Sequence, residues 1–203
     1  MNFYFITDEQ LTVKGVLSDV EQALLAGANV IQYRDKEGAT KHMHETGLKI
    51  RDLCTEYGAM YIVNDRVDIA LSTEADGVHI GPEDLPLDAA RRMMHSGTIG
   101  VSVSNLEEAA AAERGGADYL GVTPIFHTAT KPDAGIPVGL ETLRVISRNT
   151  HIPLVAIGGI KMENIGEVIG AGATSVSAIS ATVGEDVRAR VLEFIEEIGR
   201  WKK

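Results

Sequence analysis

Short apolar segments recur along the chain at fairly even spacing. Most of them are rich in Val, Ile or Tyr, and all are short enough to form buried strands. The eight predicted strands cover residues 3–7, 30–34, 60–64, 77–81, 98–102, 119–123, 153–158 and 175–180. The pattern therefore predicts a sheet of eight short strands spread over the whole chain.

Segments with the periodicity of amphipathic helices lie between these strands. In residues 17–26, the apolar positions Leu17, Val20 and Leu24 mark one helix face. Gly27 follows directly and is a typical stop signal for a helix. Comparable helical segments cover residues 39–57, 67–72, 87–95, 106–115, 140–147, 162–170 and 186–201.

Strands that alternate with helices in this way form parallel βαβ units. An open doubly wound sheet would alternate too, but eight units in 203 residues favour closure into a (β/α)8 TIM barrel. No Pro-, Gly- or Ser-rich linker and no run of charge divides the chain. We therefore expect one α/β catalytic domain over residues 1–203, with its active site at the carboxyl ends of the strands.

The composition and net charge limit the kinds of molecule that we expect the protein to bind. The chain has 19 basic and 29 acidic residues and a formal net charge of −10. An acidic surface repels nucleic acid and anionic lipid, so we expect neither as a partner. The N-terminus lacks the basic region of a signal peptide, and no apolar run reaches the ~18 residues of a membrane span. With a single cysteine, Cys54, these features predict a cytoplasmic protein.

Three polar side chains lie on one side of the chain where the second strand ends. Because side chains alternate along a strand, Gln32, Arg34 and Lys36 share that side. A guanidinium and an ammonium aimed together form an anion clamp. The alternative is a salt-bridged rim in which Asp35 and Glu37 are the solvated partners. We favour the clamp because three polar groups on one side of a barrel strand are costly without a function.

Two carboxylates follow the third and fourth strands. Asp65 comes directly after Asn64 at the end of strand three, and Asp84 follows strand four. Consecutive barrel strands are neighbours, so both carboxylates can face one site, where Mg²⁺ would use them together with substrate phosphates. The alternative is that each residue caps the following helix. An anion clamp on the adjacent strand favours the metal site.

The last three strands predict a second anion site. The loop after strand six carries Thr128, Thr130 and Lys131, which can hold a phosphorylated ligand, although such a loop is also typical of plain connections. The pair Gly158–Gly159 follows strand seven, and strand eight ends at residues 178–180. Barrels commonly build a phosphate site there from backbone N–H groups, although a Gly-Gly pair also occurs in structural turns.

The histidines indicate no transition-metal centre, because no His/Cys cluster has the required spacing. His79 lies inside strand four and is more typical of a core histidine with satisfied hydrogen bonds than of a ligand. His127 lies beside the two threonines of the loop after strand six, where it either contacts a ligand or is solvated.

Six motifs in register resemble those of thiamine-phosphate synthases, and the likeness runs from strand one to Ser180. The motifs are QYRDK at 32–36, VNDR at 63–66, GVHIG at 77–81 followed by Asp84, IGVS at 99–102, TATK at 128–131 and AIGGI at 156–160. The resemblance implies a Mg²⁺-dependent (β/α)8 transferase of thiamine biosynthesis. Such an enzyme couples 4-amino-2-methyl-5-(diphosphooxymethyl)pyrimidine with 4-methyl-5-(2-phosphoethyl)thiazole, giving thiamine phosphate and diphosphate.

The resemblance also implies roles for individual residues. Those expected at the pyrimidine diphosphate are Gln32, Arg34, Lys36, Asn64, Ser102 and Lys131. Of these, the expected catalytic residues are Arg34, Lys36, Ser102 and Lys131. Asp65 and Asp84 would hold Mg²⁺. The thiazole phosphate would be bound by Thr128, Thr130, Gly159, Ile179 and Ser180.

Four residues depart from the family pattern: Pro82, Ser104, Thr123 and His127. They put local loop geometry in doubt more than the reaction, because none removes a charge from the site. One alternative is a thiazole tautomerase-like isomerase, which uses a histidine where this chain has Ser104, a poor proton carrier at neutral pH. Another is a non-catalytic barrel that binds thiazole or thiamine phosphate. The pattern leaves homo-oligomerisation open, and the loop 128–133 is our prediction for a lid.

Overall fold

The structure, a computed structural model, describes residues 3–128, 130 and 135–202. Over these residues eight strands alternate with helices. The strands are β1 Tyr4–Ile6, β2 Val30–Tyr33, β3 Met60–Asn64, β4 Gly77–Ile80, β5 Thr98–Val103, β6 Tyr119–Val122, β7 Leu154–Ile157 and β8 Ser175–Ser177. The helices are α1 Val16–Leu25, α2 Thr40–Tyr57, α3 Val67–Ser72, α4 Leu87–Met94, α5 Leu106–Arg114, α6 Gly139–Asn149, α7 Ile165–Gly170, α8 Ile179–Thr182 and α9 Val187–Trp201.

All neighbouring strands pair in parallel, in the order β1 to β8. A bridge between Phe3 and Val176 brings the first strand against the last and closes the sheet into a barrel. The predicted (β/α)8 architecture is therefore confirmed. Within the described part of the chain, every helix is too short or too polar to be a candidate membrane span.

The predicted last strand, residues 175–180, was too long. The strand ends at Ser177, and residues Ile179–Thr182 form a short helix. The hydroxyl of Thr182 donates to the carbonyl of Ala178 at 2.8 Å, which closes this single turn. Apolar content alone does not separate a strand from a helical turn this short, because a few residues are too short a window to show a helical or a strand period.

Each strand sends alternate side chains to two apolar layers, as a barrel strand must. The outward-facing residues, with Phe3 and Phe5 among the largest, pack beneath the helices, and the ring of Phe3 lies 5.5 Å from that of Phe194 in α9. The inward-facing residues form a separate core inside the barrel: Tyr4, Ile6, Val30, Ile62, Tyr119 and Val155. The inner core supports the end of the barrel where the predicted site residues lie.

Two glycines make room for large side chains inside the barrel. A Cβ atom on Gly100 would stand 2.0 Å from the ring of Tyr119, and one on Gly121 would stand 2.9 Å from the ring of His79. Neither glycine has an unusual backbone conformation, so their small size is what the packing requires. The inside of the barrel is therefore filled by a few bulky rings, which occupy the space that the two glycines leave open.

Polar residues at the amino ends of three strands tie those strands to their neighbours. Asp76 accepts a hydrogen bond from the backbone N–H of Tyr61 at 2.7 Å, and Asp118 accepts one from Ile99 at 2.7 Å. Thr174 accepts the backbone N–H of Leu154 at 3.1 Å. These residues satisfy strand N–H groups at the end of the barrel opposite the candidate site, where stability is the expected role.

Candidate active site

A cavity of about 270 Å³ opens at the carboxyl ends of the strands. Its floor receives one residue from the end of each strand or from the position directly after it: Ile6, Gln32, Asn64, His79, Ser102, Thr123, Ile157 and Ser177. Its walls include the remaining predicted site residues that the structure describes: Arg34, Lys36, Asp65, Asp84, Thr128, Thr130, Gly159, Ile179 and Ser180. Lys131 lies outside the described residues. The structure thus gathers every described member of the predicted set in one pocket.

Arg34 is held in place by an acidic residue that the sequence analysis did not identify. Its guanidinium donates to Asp8 at 3.0 Å, and both side chains are largely buried. The second oxygen of Asp8 accepts the backbone N–H groups of Gln10 and Leu11, which fixes the loop after β1. A buried, hydrogen-bonded partner limits the rotamers of Arg34 and aims the guanidinium. The position of Asp8, directly after a strand, was the available signal.

Lys36, Asp65 and Asp84 form one charged cluster. The ammonium of Lys36 pairs with the carboxylate of Asp65. Burial raises the pKa of Asp84, and a hydrogen bond with Asp65 and the charge of that residue add to the rise. The N–H of Gly81 and the charge of Lys36 act in the opposite direction. Two carboxylates that disfavour each other's charge are ready for a divalent cation, which would relieve the repulsion.

The helix-capping alternative for these two carboxylates is wrong. The residue before α3 is Arg66 and the residue before α4 is Pro86, and neither helix start has a side-chain cap. Asp84 instead accepts the N–H of Gly81 at 2.7 Å within its own loop. Asp65 has a φ of 62°, a left-handed conformation that is costly outside glycine and that often marks a functional position.

The alternative at strand two, a rim in which Asp35 and Glu37 pair with the cations, is also wrong, because the cations pair with other carboxylates. Asp35 accepts the backbone N–H groups of Glu37 at 3.1 Å and Gly38 at 2.7 Å, so its carboxylate shapes its own turn. Arg34 and Lys36 pair with carboxylates in the loops that follow β1 and β3. Both cations therefore face the pocket, as the anion clamp requires.

The opposite wall of the pocket is built from small and hydroxyl-bearing residues. The backbone N–H of Thr130 lies 3.3 Å from the hydroxyl of Thr128, and both residues line the pocket. The first residues of α8, Ile179 and Ser180, line it as well. A wall of hydroxyls and backbone groups can bind a phosphate without a buried cation.

The Gly158–Gly159 pair has a steric reason as well as a chemical one. Both residues have positive φ, 97° and 64°. A Cβ on Gly158 would stand 2.7 Å from Pro124, and one on Gly159 would stand 2.6 Å from the carbonyl oxygen of His127. The pair lets the loop after β7 lie directly against the loop after β6, and close packing, rather than ligand access alone, demands glycine there.

The floor of the pocket contains a histidine with two hydrogen-bond partners. His79 Nδ1 lies 3.0 Å from the hydroxyl of Tyr119, and Nε2 lies 2.9 Å from the hydroxyl of Ser102. The prediction of a satisfied core histidine is confirmed, but His79 also lines the pocket, which the prediction missed. His127 is exposed, and among the described residues it is not part of the pocket lining.

A second group of potential ligand residues lies outside this pocket. Single ligand atoms of Glu9, Asp35 and His42 lie within 4.8 Å of one another. Burial raises the pKa of Glu9, with the charge of Asp35 adding to the rise and that of His42 opposing it. Sequence spacing did not reveal this group, because its members come from three separate segments. Two of the three residues are exposed, as acidic surface groups commonly are without a metal.

Comparisons with known proteins agree with the resemblance. The family model described as thiamine monophosphate synthase matches residues 3–182. A thiamine-phosphate synthase of Chloroflexus aurantiacus is 48% identical over 184 residues, covering 90% of this chain and 85% of that protein. Another, from Methanosarcina barkeri, is 46% identical over 205 residues, covering 100% of this chain and 93% of that protein. The solved structure of thiamine phosphate pyrophosphorylase from Pyrococcus furiosus matches with a TM-score of 0.93 at 44% identity, covering 99% and 96% of the two chains.

Proposed function

The chain belongs to the thiamine monophosphate synthase family, and we propose how the residues at its barrel mouth carry out the family's reaction. The protein is a transferase of thiamine biosynthesis. Its substrates are small phosphorylated molecules: the pyrimidine diphosphate ester and the thiazole phosphate. The observation that carries the assignment of roles is the convergence of two cations and two carboxylates in one pocket.

The diphosphate binds at the charged wall. Arg34 is aimed by Asp8 and offers a planar pair of donors for phosphate oxygens. Lys36 exchanges its contact with Asp65 for a contact with the diphosphate when the substrate arrives. These two cations stabilise the negative charge that collects on the leaving group as its bond to carbon breaks. Lys131 would add a third positive charge, a role that rests on the family motif alone.

Asp65 and Asp84 would hold Mg²⁺. Their oxygens are the ligand type that this ion prefers. Burial raises the pKa of Asp84, and the neighbouring Asp65 adds to the rise. When bound, the ion supplies Lewis-acid stabilisation of the diphosphate. The protein's own part is to hold the two carboxylates together, through the backbone N–H of Gly81 on Asp84 and the ammonium of Lys36 on Asp65.

The pyrimidine lies on the floor of the pocket. Gln32, Asn64 and Ser102 come from three strands and supply an amide, a second amide and a hydroxyl for its polar atoms. The apolar floor residues Ile6 and Ile157 flank them and favour a flat ring. This placement puts the methylene carbon of the ester between the floor and the charged wall.

The thiazole phosphate binds at the opposite wall. Thr128, Thr130 and Ser180 offer hydroxyls, and the backbone near Gly159 and Ile179 approaches the same space. Anchoring the remote phosphate holds the thiazole ring over the pyrimidine and converts a collision of two molecules into a reaction within one complex.

The reaction needs no nucleophile from the protein. The carbon–oxygen bond of the ester breaks, and diphosphate leaves with the electron pair. The electron-rich aminopyrimidine stabilises the resulting cation at the methylene carbon. The lone pair of the thiazole nitrogen then forms the carbon–nitrogen bond of thiamine phosphate. The protein contributes positioning and stabilisation of the leaving group.

Among the residues that the structure describes, none offers a feature that favours the tautomerase alternative. It requires a proton carrier at position 104, but the hydroxyl of Ser104 contacts Glu108 at 3.0 Å, and the backbone N–H of Ser104 donates to the same carboxylate oxygen at 2.7 Å. A non-catalytic binding barrel would have no need for the charged wall formed by Arg34, Lys36, Asp65 and Asp84.

Incubation of the purified protein with both substrates tests the proposal. We expect thiamine phosphate and diphosphate in equal amounts when Mg²⁺ is present and a strong loss of rate when it is chelated. Turnover indifferent to Mg²⁺ would contradict the role of the two carboxylates. Binding of both substrates without product would favour the non-catalytic alternative.

A further inference from the structure

Five polar side chains from five strands form a continuous hydrogen-bonded chain through the inside of the barrel. The amide nitrogen of Gln32 lies 3.0 Å from the hydroxyl of Tyr4, which lies 2.6 Å from the hydroxyl of Tyr119. Tyr119 contacts His79 Nδ1 at 3.0 Å, and His79 Nε2 contacts Ser102 at 2.9 Å. The two ends of this chain, Gln32 and Ser102, both line the pocket.

The two tyrosines in the middle lie beneath the pocket. Tyr4 and Tyr119 are each 1% exposed, and the residues that line the pocket do not include them within the described part of the chain. Burial raises the pKa of both phenols well above the usual range. Each phenol therefore keeps its proton, and each has one hydrogen to donate.

The number of hydrogens available sets the direction in which the five hydrogen-bonded side chains donate to one another. A neutral imidazole donates from one nitrogen and accepts at the other. When the Gln32 amide nitrogen donates to Tyr4, Tyr4 donates to Tyr119 and Tyr119 donates to His79 Nδ1. His79 Nε2–H then donates to Ser102, and the hydroxyl hydrogen of Ser102 is free to point into the pocket.

The opposite direction would reverse both ends together. If the Gln32 amide turned over, its oxygen would accept from Tyr4, and every later bond would have to reverse for each hydroxyl to keep one donor role. Ser102 would then donate to His79 and offer only acceptor capacity to the pocket. The donor or acceptor character of Gln32 and that of Ser102 are therefore linked across the barrel.

We propose that His79, Tyr119 and Tyr4 are positioning residues that present the Gln32 amide oxygen as an acceptor and the Ser102 hydroxyl as a donor to the pyrimidine substrate. This inference rests on the proposed function and deepens it. An aminopyrimidine ester fits the arrangement, because its exocyclic amine donates and its ring nitrogens and ester oxygen accept. Because these buried hydrogen bonds are already formed before binding, the side chains do not have to reorganise when the substrate arrives.

The packing around the Tyr119 and His79 rings supports a hydrogen-bonded arrangement that is fixed before the substrate binds. Gly100 has no side chain where the Tyr119 ring stands, and Gly121 has none where His79 stands. The rings therefore have little freedom to leave the chain, and a change at one member is felt by the next.

The first test measures the tautomer of His79 in the wild-type protein. Nitrogen NMR of the histidine rings, recorded above the ordinary pKa range of histidine, distinguishes a proton on Nε2 from one on Nδ1. The signal of His79 is identified by its loss in His79→Gln. We expect the proton on Nε2. A proton on Nδ1 would overturn the proposed direction, and this measurement needs no substrate.

The second test removes the hydroxyl group of one buried tyrosine at a time. Tyr119→Phe and Tyr4→Phe should each lower kcat/KM for the pyrimidine diphosphate by about fivefold or more, the cost of a lost buried hydrogen bond. The KM for the thiazole phosphate should be unchanged. Tyr61→Phe is the matched control, because Tyr61 is equally buried but faces α2 beside Gly47, outside the barrel.

A double variant separates positioning from a general loss of structure. The effect of Tyr119→Phe should shrink by about threefold or more when Ser102 is already Ala, because the hydroxyl to be oriented is gone. An undiminished effect, or equal losses in Tyr119→Phe and Tyr61→Phe, would overturn the positioning role. If the wild-type protein made no thiamine phosphate, the proposed function would fail, while the tautomer measurement would still decide the direction of the chain.

Discussion

The ammonium of Lys36 pairs with the carboxylate of Asp65, joining the loops that follow β2 and β3 at the mouth of the barrel. The pair links the anion clamp with the carboxylates, so the two sites predicted separately from the sequence are one cluster. A diphosphate and a cation arriving together would satisfy both partners at once. We therefore expect the substrate charges to bind where this ion pair lies.

Asp65→Asn should lower kcat by at least ~10-fold, because it removes one negative ligand while keeping the shape of the side chain. Asn is the better substitution here, since it tolerates the φ of 62° that Ala would adopt only with strain. Steady-state kinetics over a range of Mg²⁺ concentrations is the measurement. Asp68→Asn is the control, because Asp68 pairs with Arg66 and not with the cluster; equal activity in the two variants would refute the role of Asp65.

Lys36→Ala should also lower kcat by at least ~10-fold, since a stabiliser of the leaving diphosphate is lost. Lys41→Ala serves as the matched control, because Lys41 is an exposed lysine near the start of α2 that faces Glu45 at 3.9 Å. Both variants should melt near the wild-type temperature. Near-normal turnover in Lys36→Ala would remove Lys36 from the proposed mechanism.

Asp19→Asn should make the protein more stable at neutral pH. Burial raises the pKa of Asp19 above its ordinary value of 3.8, against smaller opposing effects of Thr12 and Lys14. The folded state then holds its proton to higher pH than the unfolded state. The free energy of unfolding therefore falls as pH rises from the ordinary pKa through the raised one.

Thermal melts of wild type and Asp19→Asn across acid and neutral pH check this prediction. The advantage of the variant should be present at neutral pH, shrink as the pH falls through the raised pKa of Asp19, and be lost below the ordinary carboxyl pKa. Asp88→Asn should show the opposite trend, because the hydrogen bond from Arg92 lowers the pKa of Asp88 and favours the folded state above that pKa. A constant difference between wild type and Asp19→Asn at all pH values would contradict the assignment.

Gly100→Ala should destabilise the protein by about 1–3 kcal/mol, the typical cost of overpacking a core. The added Cβ would stand 2.0 Å from the Tyr119 ring, which has the hydrogen-bonded chain behind it. Gly199→Ala in α9 meets nothing within 4 Å and should be neutral or stabilising by up to about 1 kcal/mol. Denaturant unfolding compares the free energies of unfolding of the two variants. Similar free energies would mean that the barrel interior can rearrange to accept the added methyl group.

The charged positions of the site were predictable because of the alternation of strands and helices. Parallel strands bring their carboxyl ends to one rim, so polar residues after β2, β3 and β4 had to lie near one another. Three features of that rim were not predictable: the partner of Arg34, the absence of helix caps by Asp65 and Asp84, and the short helix that contains Ser180. The first depends on a contact between segments that are far apart in the sequence. The other two depend on the local geometry of loops and turns, which hydrophobic periodicity does not encode.

Hydrophobic periodicity and turn residues act locally, and they were enough to predict the barrel, the order of its strands and the rim where the polar site residues lie. Which side chains fill the inside depends on contacts between distant segments, as in the contact of Tyr4 with Tyr119 across 115 positions of sequence. That contact follows from how the closed sheet staggers its strands and where glycine leaves room for a ring. Both are properties of the packed whole, so no local pattern of residues contains them.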